Sequence, residues 1–138
     1  MSLRPPVVLI VADDAELMAM YVFGLLAIGF QPVTASTVDE ALMRAKHVRP
    51  EVVVADIVMP GKGGLAAVRQ IQDRHPGTPV VFLSVIAAPS MIQISLSSGG
   101  SGYVVKDDAA DELVPAIEAV RKGRDYVSST GLRALSWS

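Results

Sequence analysis

With 138 residues, 51% of them hydrophobic and 19% charged, the chain is long enough to bury its own core and too apolar to remain a solvated disordered segment. Twelve basic against fourteen acidic side chains give a net charge of −2 with no Lys/Arg cluster, which excludes strong nucleic-acid binding by this chain alone. The absence of cysteine excludes a disulfide framework and a thiolate metal site, and is compatible with a cytoplasmic location.

Val7-Val8-Leu9-Ile10-Val11 is a β-branched apolar run without polar alternation, as a strand reads when helices cover both of its faces. It is too short to cross a bilayer and two acids follow it, so neither a membrane span nor a signal peptide is expected. A helical segment carrying Leu17, Val22, Leu25, Leu26 and Ile28 comes next and stops at Gly29. Pro32-Val33-Thr34-Ala35 is a weaker strand. Thr37 with Glu40 forms a capping box that opens a second helix, which Pro50 closes. Val52-Val53-Val54-Ala55 is the third strand. The helix holding Leu65, Val68 and Ile71 ends at His75-Pro76-Gly77, and Val80-Val81-Phe82-Leu83 is the fourth strand. Pro89 starts a helix that Gly99 and Gly100 stop, Tyr103-Val104-Val105 is the fifth strand, and Asp107 or Asp108 caps a last helix ended by Gly123. Pro115 loses a backbone hydrogen bond, a cost of about 3 kcal/mol inside a helix, so regular helix is expected only around and after it.

Strand and helix alternating at these lengths require right-handed crossovers onto a mostly parallel sheet, which makes the class α/β, doubly wound, with five strands. One domain is expected over residues 1–125. Residues 126–138 read as a departing linker or tail, with Ser128-Ser129-Thr130-Gly131 as its hinge.

Ligands of such sheets sit beyond the carboxyl ends of the strands. Asp13 and Asp14 follow the first strand and Asp56 the third, so three carboxylates are expected at one rim. Each alone reads as a helix cap or a turn residue. Together they repel unless a hard cation neutralises them, and Mg²⁺ with its preference for oxygen ligands is the natural choice. A carboxylate is also a nucleophile toward phosphorus when a metal and a cation absorb charge on the transferred oxygens. Lys106, just past the fifth strand, supplies that cation, and the Ser84 hydroxyl at the end of the fourth strand can bond a phosphoryl oxygen.

Asp13-Asp14, Asp56-Ile57-Val58-Met59-Pro60-Gly61, Ser84 and Gly102-Tyr103-Val104-Val105-Lys106 resemble, in order and spacing, the receiver domains of two-component response regulators over residues 7 to about 123. The resemblance implies a flavodoxin-like sheet of order 2-1-3-4-5. It implies Asp56 as phosphoacceptor, Asp14 as a direct Mg²⁺ ligand, Asp13 as a ligand through water and the Val58 carbonyl as a further ligand. Lys106 would pair with the phosphoryl group, Ser84 would hydrogen-bond it, and Tyr103 would be an aromatic switch that moves into space Ser84 vacates. Met59-Pro60-Gly61 fits a turn shaping the acceptor loop.

Such a domain is a signalling switch and not an enzyme beyond its own phosphorylation and dephosphorylation. Its partners would be a sensor histidine kinase or phosphotransfer protein, with a homodimer on phosphorylation through the face carrying Tyr103. His47 and His75 stand near helix ends and are not expected to donate phosphate. The segments Gly100–Asp107 and Lys122–Ser128 are similar to receivers that precede a LuxR-type helix-turn-helix, so the chain reads either as part of a longer transcription factor or as a single-domain regulator.

Two departures from the family pattern stand out. Val85 is bulkier than the family's usual residue and is expected to narrow access to the acyl phosphate. The Gly- and Ser-rich stretch Leu96–Gly102 suggests a short or mobile fourth helix. An aspartate-nucleophile phosphatase is the competing enzyme class, but Val58 stands where its general acid is expected. A receiver acting only as an unphosphorylated interaction module is the third reading.

Overall fold

The computed structural model describes residues 4–58 and 63–136. Along the chain these form β1 (Val7–Val11), α1 (Ala15–Ala27), β2 (Gln31–Ala35), α2 (Val38–Val48), β3 (Val52–Asp56) and α3 (Gly63–Arg74). They continue as β4 (Val80–Ser84), α4 (Pro89–Ser97), β5 (Gly102–Val105), a single 3-10 turn (Lys106–Asp108), α5 (Ala109–Arg121), β6 (Tyr126–Val127) and α6 (Ser129–Ser136). The expected turn at Met59-Pro60-Gly61 lies outside the described residues. The sheet is parallel throughout and ordered β2-β1-β3-β4-β5-β6, the flavodoxin-like order expected, with one strand added at the β5 edge.

The uninterrupted apolar runs have the physical cause read from them, since every residue of β3 and β4 is buried. Burying each Val, Leu or Phe contributes roughly 1.5–3 kcal/mol, so these central strands anchor the fold. Alternate side chains feed two cores. Val8, Ile10, Val52 and Val54 meet Tyr21 and Leu25 of α1 and Ile117 of α5 on one face. Leu9, Val11, Val53 and Ala55 meet Ala41 of α2, Val68 of α3 and Ile92 of α4 on the other. By the same alternation, Asp56 projects on the side of Val52 and Val54, toward α1 and α5.

The helix ends show local chemistry at work. Thr37 Oγ1 accepts from Glu40 N at 3.1 Å, while Glu40 Oε1 reaches back to Ser36 N at 3.3 Å, one residue before the position of an ideal capping box. Helix α2 ends at Arg49, whose φ of 47° is left-handed, immediately before Pro50. Helix α4 is short, at nine residues, with Pro89 in its first turn. Pro115 does not confine α5 to its later turns. The helix runs from Ala109 through the exposed proline to Arg121.

The C-terminal segment corrects the expected linker. Residues 126–136 are strand and helix docked on the domain, because polar groups of α5 and β5 hold them there. Ser128 is fully buried, donating its N–H to Tyr103 O at 2.9 Å and accepting from Val105 N at 3.0 Å through Oγ. Asp108 occupies the N-cap position of α5 but caps nothing there. Its two oxygens take the amide and hydroxyl of Thr130 at 3.0 and 2.7 Å. Glu112 accepts from Ser129 N at 3.1 and 3.0 Å and from the Tyr126 hydroxyl at 2.7 Å. Two acids thus satisfy the free amides that open α6 and complement its dipole. Gly131 permits the close approach, since a Cβ there would meet Val127 Cγ1 at 2.8 Å.

This clasp is pH-dependent. Burial by itself would raise both carboxyls. The Ser128 and Thr130 groups with Arg133 nonetheless hold Asp108 below its ordinary 3.8, and the Tyr126 and Ser129 bonds hold Glu112 below 4.5. A depressed carboxyl contributes stability that is present above its unfolded value and lost as pH falls through its folded one. The clasp is therefore complete above the ordinary carboxylate values and is lost as pH falls through the depressed values of the two acids. Amide chemical shifts of Ser129 and Thr130 should move to coil values in that acid range before β1–β5 unfold, and shifts that stay constant there would contradict the clasp. Tyr126 sets the opposite limit. Burial and then the Glu112 bond push its phenol to about 12, so its contribution is complete below 10 and lost as pH rises toward 12.

Candidate functional site at the carboxyl rim of the sheet

Asp56 ends β3 and is 1% exposed. A charge so far from water requires a partner, and Lys106 Nζ supplies it with a 2.6 Å bond to Oδ2, its own side chain 19% exposed. The other oxygen, Oδ1, accepts from Val58 N at 3.2 Å. Asp56 is fixed from behind as well, because the N–H of Ile57 bonds Leu83 O of β4 at 2.9 Å. Gly64 in the first turn of α3 lies so close that a Cβ there would collide with the Asp56 carbonyl oxygen.

The β1 corner is arranged differently from the expectation. Val11 pairs with Ala55, so the buried Ala12 stands level with Asp56 and the acids begin one residue later. Asp13 is exposed, and no described residue bonds its carboxylate. Asp14 is the N-cap of α1, where Oδ1 accepts from Glu16 N and Leu17 N at 3.1 Å each. Among the described residues no group of three or more His, Cys, Asp and Glu could hold a metal ion. The expected three-carboxylate cluster is thus not assembled. Asp14 is engaged by its helix and Asp56 by Lys106, which leaves Asp13 as the acid with a free carboxylate. The donors at the rim are nonetheless all hard oxygens, as Mg²⁺ requires, and that ion binds through one or two carboxylates with waters completing its shell.

Ser84 and Tyr103 are joined through one backbone unit. Ser84 Oγ accepts from Ile86 N at 3.0 Å, and the Tyr103 hydroxyl donates to Ile86 O at 2.6 Å. The Tyr103 ring is fully buried against β4, α4 and β6 neighbours, and burial raises its phenol above 10.0 while a Ser84 hydrogen bond opposes the shift. Val58 is 63% exposed and Val85 70% exposed.

One polar group at this rim was not anticipated. Tyr21 of α1 is 5% exposed, and its hydroxyl has no hydrogen-bond partner among the described residues. Burial raises its phenol, with the charges of Asp56 and then Asp14 adding to the shift, so it remains a protonated donor near both acids. The signal lay in the spacing, because seven residues from Asp14 bring a side chain back to the same side of a helix.

Residues 8–118 match the family model described as the response regulator receiver domain. The response regulator GacA of Pseudomonas protegens is 35% identical over 122 residues, covering 86% of this chain and 57% of that protein. The probable transcriptional regulatory protein TcrX of Mycobacterium tuberculosis is 32% identical over 117 residues, covering 85% and 50%. The chain therefore spans about half the length of the curated relatives it matches. A two-component response regulator of the LuxR family from Aurantimonas sp. SI85-9A1 superposes with a TM-score of 0.86 at 26% identity, covering 96% of each chain. The chemotaxis protein CheY4 of Vibrio cholerae superposes at 0.78 with 26% identity, over 83% of this chain and 97% of that one. Built as a parallel doubly wound sheet with an aspartate–lysine pair at its carboxyl rim, the chain belongs to the response regulator receiver domain family.

Proposed function

We propose that this domain is a phosphorylation-driven switch that accepts a phosphoryl group on Asp56 from a phosphohistidine of a sensor histidine kinase or phosphotransfer protein. The observation that carries the reading is the buried Asp56–Lys106 pair at the carboxyl rim of the sheet, the rim at which Asp13 and Asp14 follow β1. An Asp56 oxygen forms the bond to phosphorus as the donor's P–N bond breaks, and the imidazole nitrogen keeps that bond's electrons. Lys106 then stands next to the transferred oxygens and compensates the charge that the carboxylate brought alone. Mg²⁺ would be held by Asp13, Asp56 and the Val58 carbonyl, with Asp14 acting from its cap position through water. When bound it neutralises charge on the transferred oxygens.

Ser84 turns its hydroxyl to the new anion, and the Ile86 amide loses its acceptor. The Ile86 carbonyl is the acceptor of the Tyr103 hydroxyl, so the β4–α4 connection and the Tyr103 ring repack together. The altered face stabilises a homodimer. An output in transcription is supported by the name of TcrX, a probable transcriptional regulatory protein, and by the LuxR-family neighbour, with DNA contact made by a part of a longer protein and not by this acidic chain.

Borohydride reduces an aspartyl phosphate to homoserine, which gives a direct test. After treatment with acetyl phosphate and Mg²⁺, peptide mapping should find homoserine at position 56. Homoserine at another position, or none, would contradict the assignment.

A further inference from the structure

Helix α1 follows β1, so its N-terminus stands at the rim that carries Asp13, Asp14 and Asp56, and its axis runs back along the sheet. Side chains of a helix lean toward its N-terminus, so a long residue two turns in, on the side of Asp14, leans toward that rim. Tyr21 is that residue. Its ring belongs to the same core cluster as Ala12, and Ala12 is the residue level with Asp56 on the neighbouring strand. Position 12 offers only a methyl group there, and Asp56 projects to the same face. The Tyr21 hydroxyl is buried and unbonded among the described residues. A buried hydroxyl without a partner is unfavourable, and one beside a site that receives an oxygen-rich anion has its acceptor when that anion arrives.

We propose that Tyr21 is a hydrogen-bond donor of the phosphorylation site, its hydroxyl bonding an oxygen of the phosphoryl group carried by Asp56. The proposal rests on the reading of Asp56 as phosphoacceptor and extends it, adding a neutral donor from the α1 side to Lys106 and Ser84 on the β4 and β5 side. The unphosphorylated domain carries the unfavourable free hydroxyl, and phosphorylation relieves it. Tyr21 thereby biases the domain toward the phosphorylated state.

Tyr21→Phe removes the hydroxyl and keeps the ring, so the core stays filled. Melting temperatures of wild type and variant would be measured alone and with beryllium trifluoride plus Mg²⁺ as the phosphoryl mimic. Phosphorylation by acetyl phosphate would be timed by intact mass. The expected result is a variant that melts higher than wild type when alone, gains no more than half the wild-type shift with the mimic, and takes up phosphate at least fivefold more slowly. A packing role alone moves neither the mimic response nor the rate, so a variant matching wild type in both within a factor of two would overturn the proposal. Wild type that neither responds to the mimic nor gains a phosphoryl group would overturn the Asp56 reading and this one with it.

Discussion

Replacing Lys106 by methionine is expected to destabilise the domain by about 3 kcal/mol and to slow phosphorylation of Asp56 by about two orders of magnitude. The stability loss arises because Asp56, 1% exposed, keeps its burial and loses its only cation among the described residues, so it must remain an unpaired charge or take up a proton. The figure is at the low end for a buried pair because the lysine side chain retains 19% of its exposure and is partly solvated already. The kinetic loss has a separate cause: the bond from Nζ is preorganised at 2.6 Å on the nucleophile and is in place when charge shifts onto the phosphoryl oxygens. Urea denaturation and timed intact-mass measurements separate the two effects. A variant that keeps both wild-type stability and wild-type rate would show that the pair is incidental.

The second large effect is expected from Gly64→Ala. Alanine is ordinarily the better helix former, so propensity alone predicts a gain of up to about 1 kcal/mol. Sterics predict the reverse, because the added methyl meets the Asp56 carbonyl oxygen, a backbone atom that cannot rotate away. Relieving that overlap requires α3 or the end of β3 to shift, typically at a net cost of about 1–3 kcal/mol. It also moves the carboxylate relative to Lys106, and misplacement of a reacting group by about 1 Å can cost about 100-fold. A melting temperature below wild type with a phosphorylation rate reduced at least tenfold is expected. A stabilised Gly64→Ala domain with normal phosphorylation would show that the approach is not tight.

The sheet was legible because its central strands are buried on both faces, and only β-branched or large apolar side chains suit that environment. Val7–Val11, Val52–Ala55 and Val80–Leu83 announce themselves for this reason. Tyr126-Val127 does not, being a two-residue strand at the sheet edge with both residues half-buried. Helix α6 was concealed by its own first residues, since Ser129, Thr130 and Gly131 have the composition of a hinge. What orders them lies elsewhere in the sequence, in Asp108 and Glu112, four residues apart and both facing the start of α6. A cap supplied from another helix leaves no local signature. Pro115 was overweighted for a related reason: packing of Leu113, Ala116, Ile117 and Val120 into the core holds α5 together through the missing hydrogen bond.

At the site, the strand-end rule located Asp56, Ser84 and Lys106, because a parallel sheet places the carboxyl ends of all its strands at one rim. The same rule did not resolve which of the paired acids is free. Both Asp13 and Asp14 follow β1, but a helix begins at Ala15 and its exposed amides draw in the nearer carboxylate. Tyr21 stands seven residues after Asp14, a spacing that puts it on the same side of the helix. Its relation to the rim depends on how α1 lies across the sheet, which neighbouring residues in the sequence do not record.

The central claim is that Asp56 is the nucleophile of a Mg²⁺-dependent phosphoryl acceptor, and the intact mass of the domain after incubation with acetyl phosphate tests it most directly. Wild type should gain the mass of one phosphoryl group with Mg²⁺ and none with EDTA, and Asp56→Asn should gain none in either condition. An equal gain in Asp56→Asn, or a wild-type gain that EDTA leaves unchanged, would contradict the account.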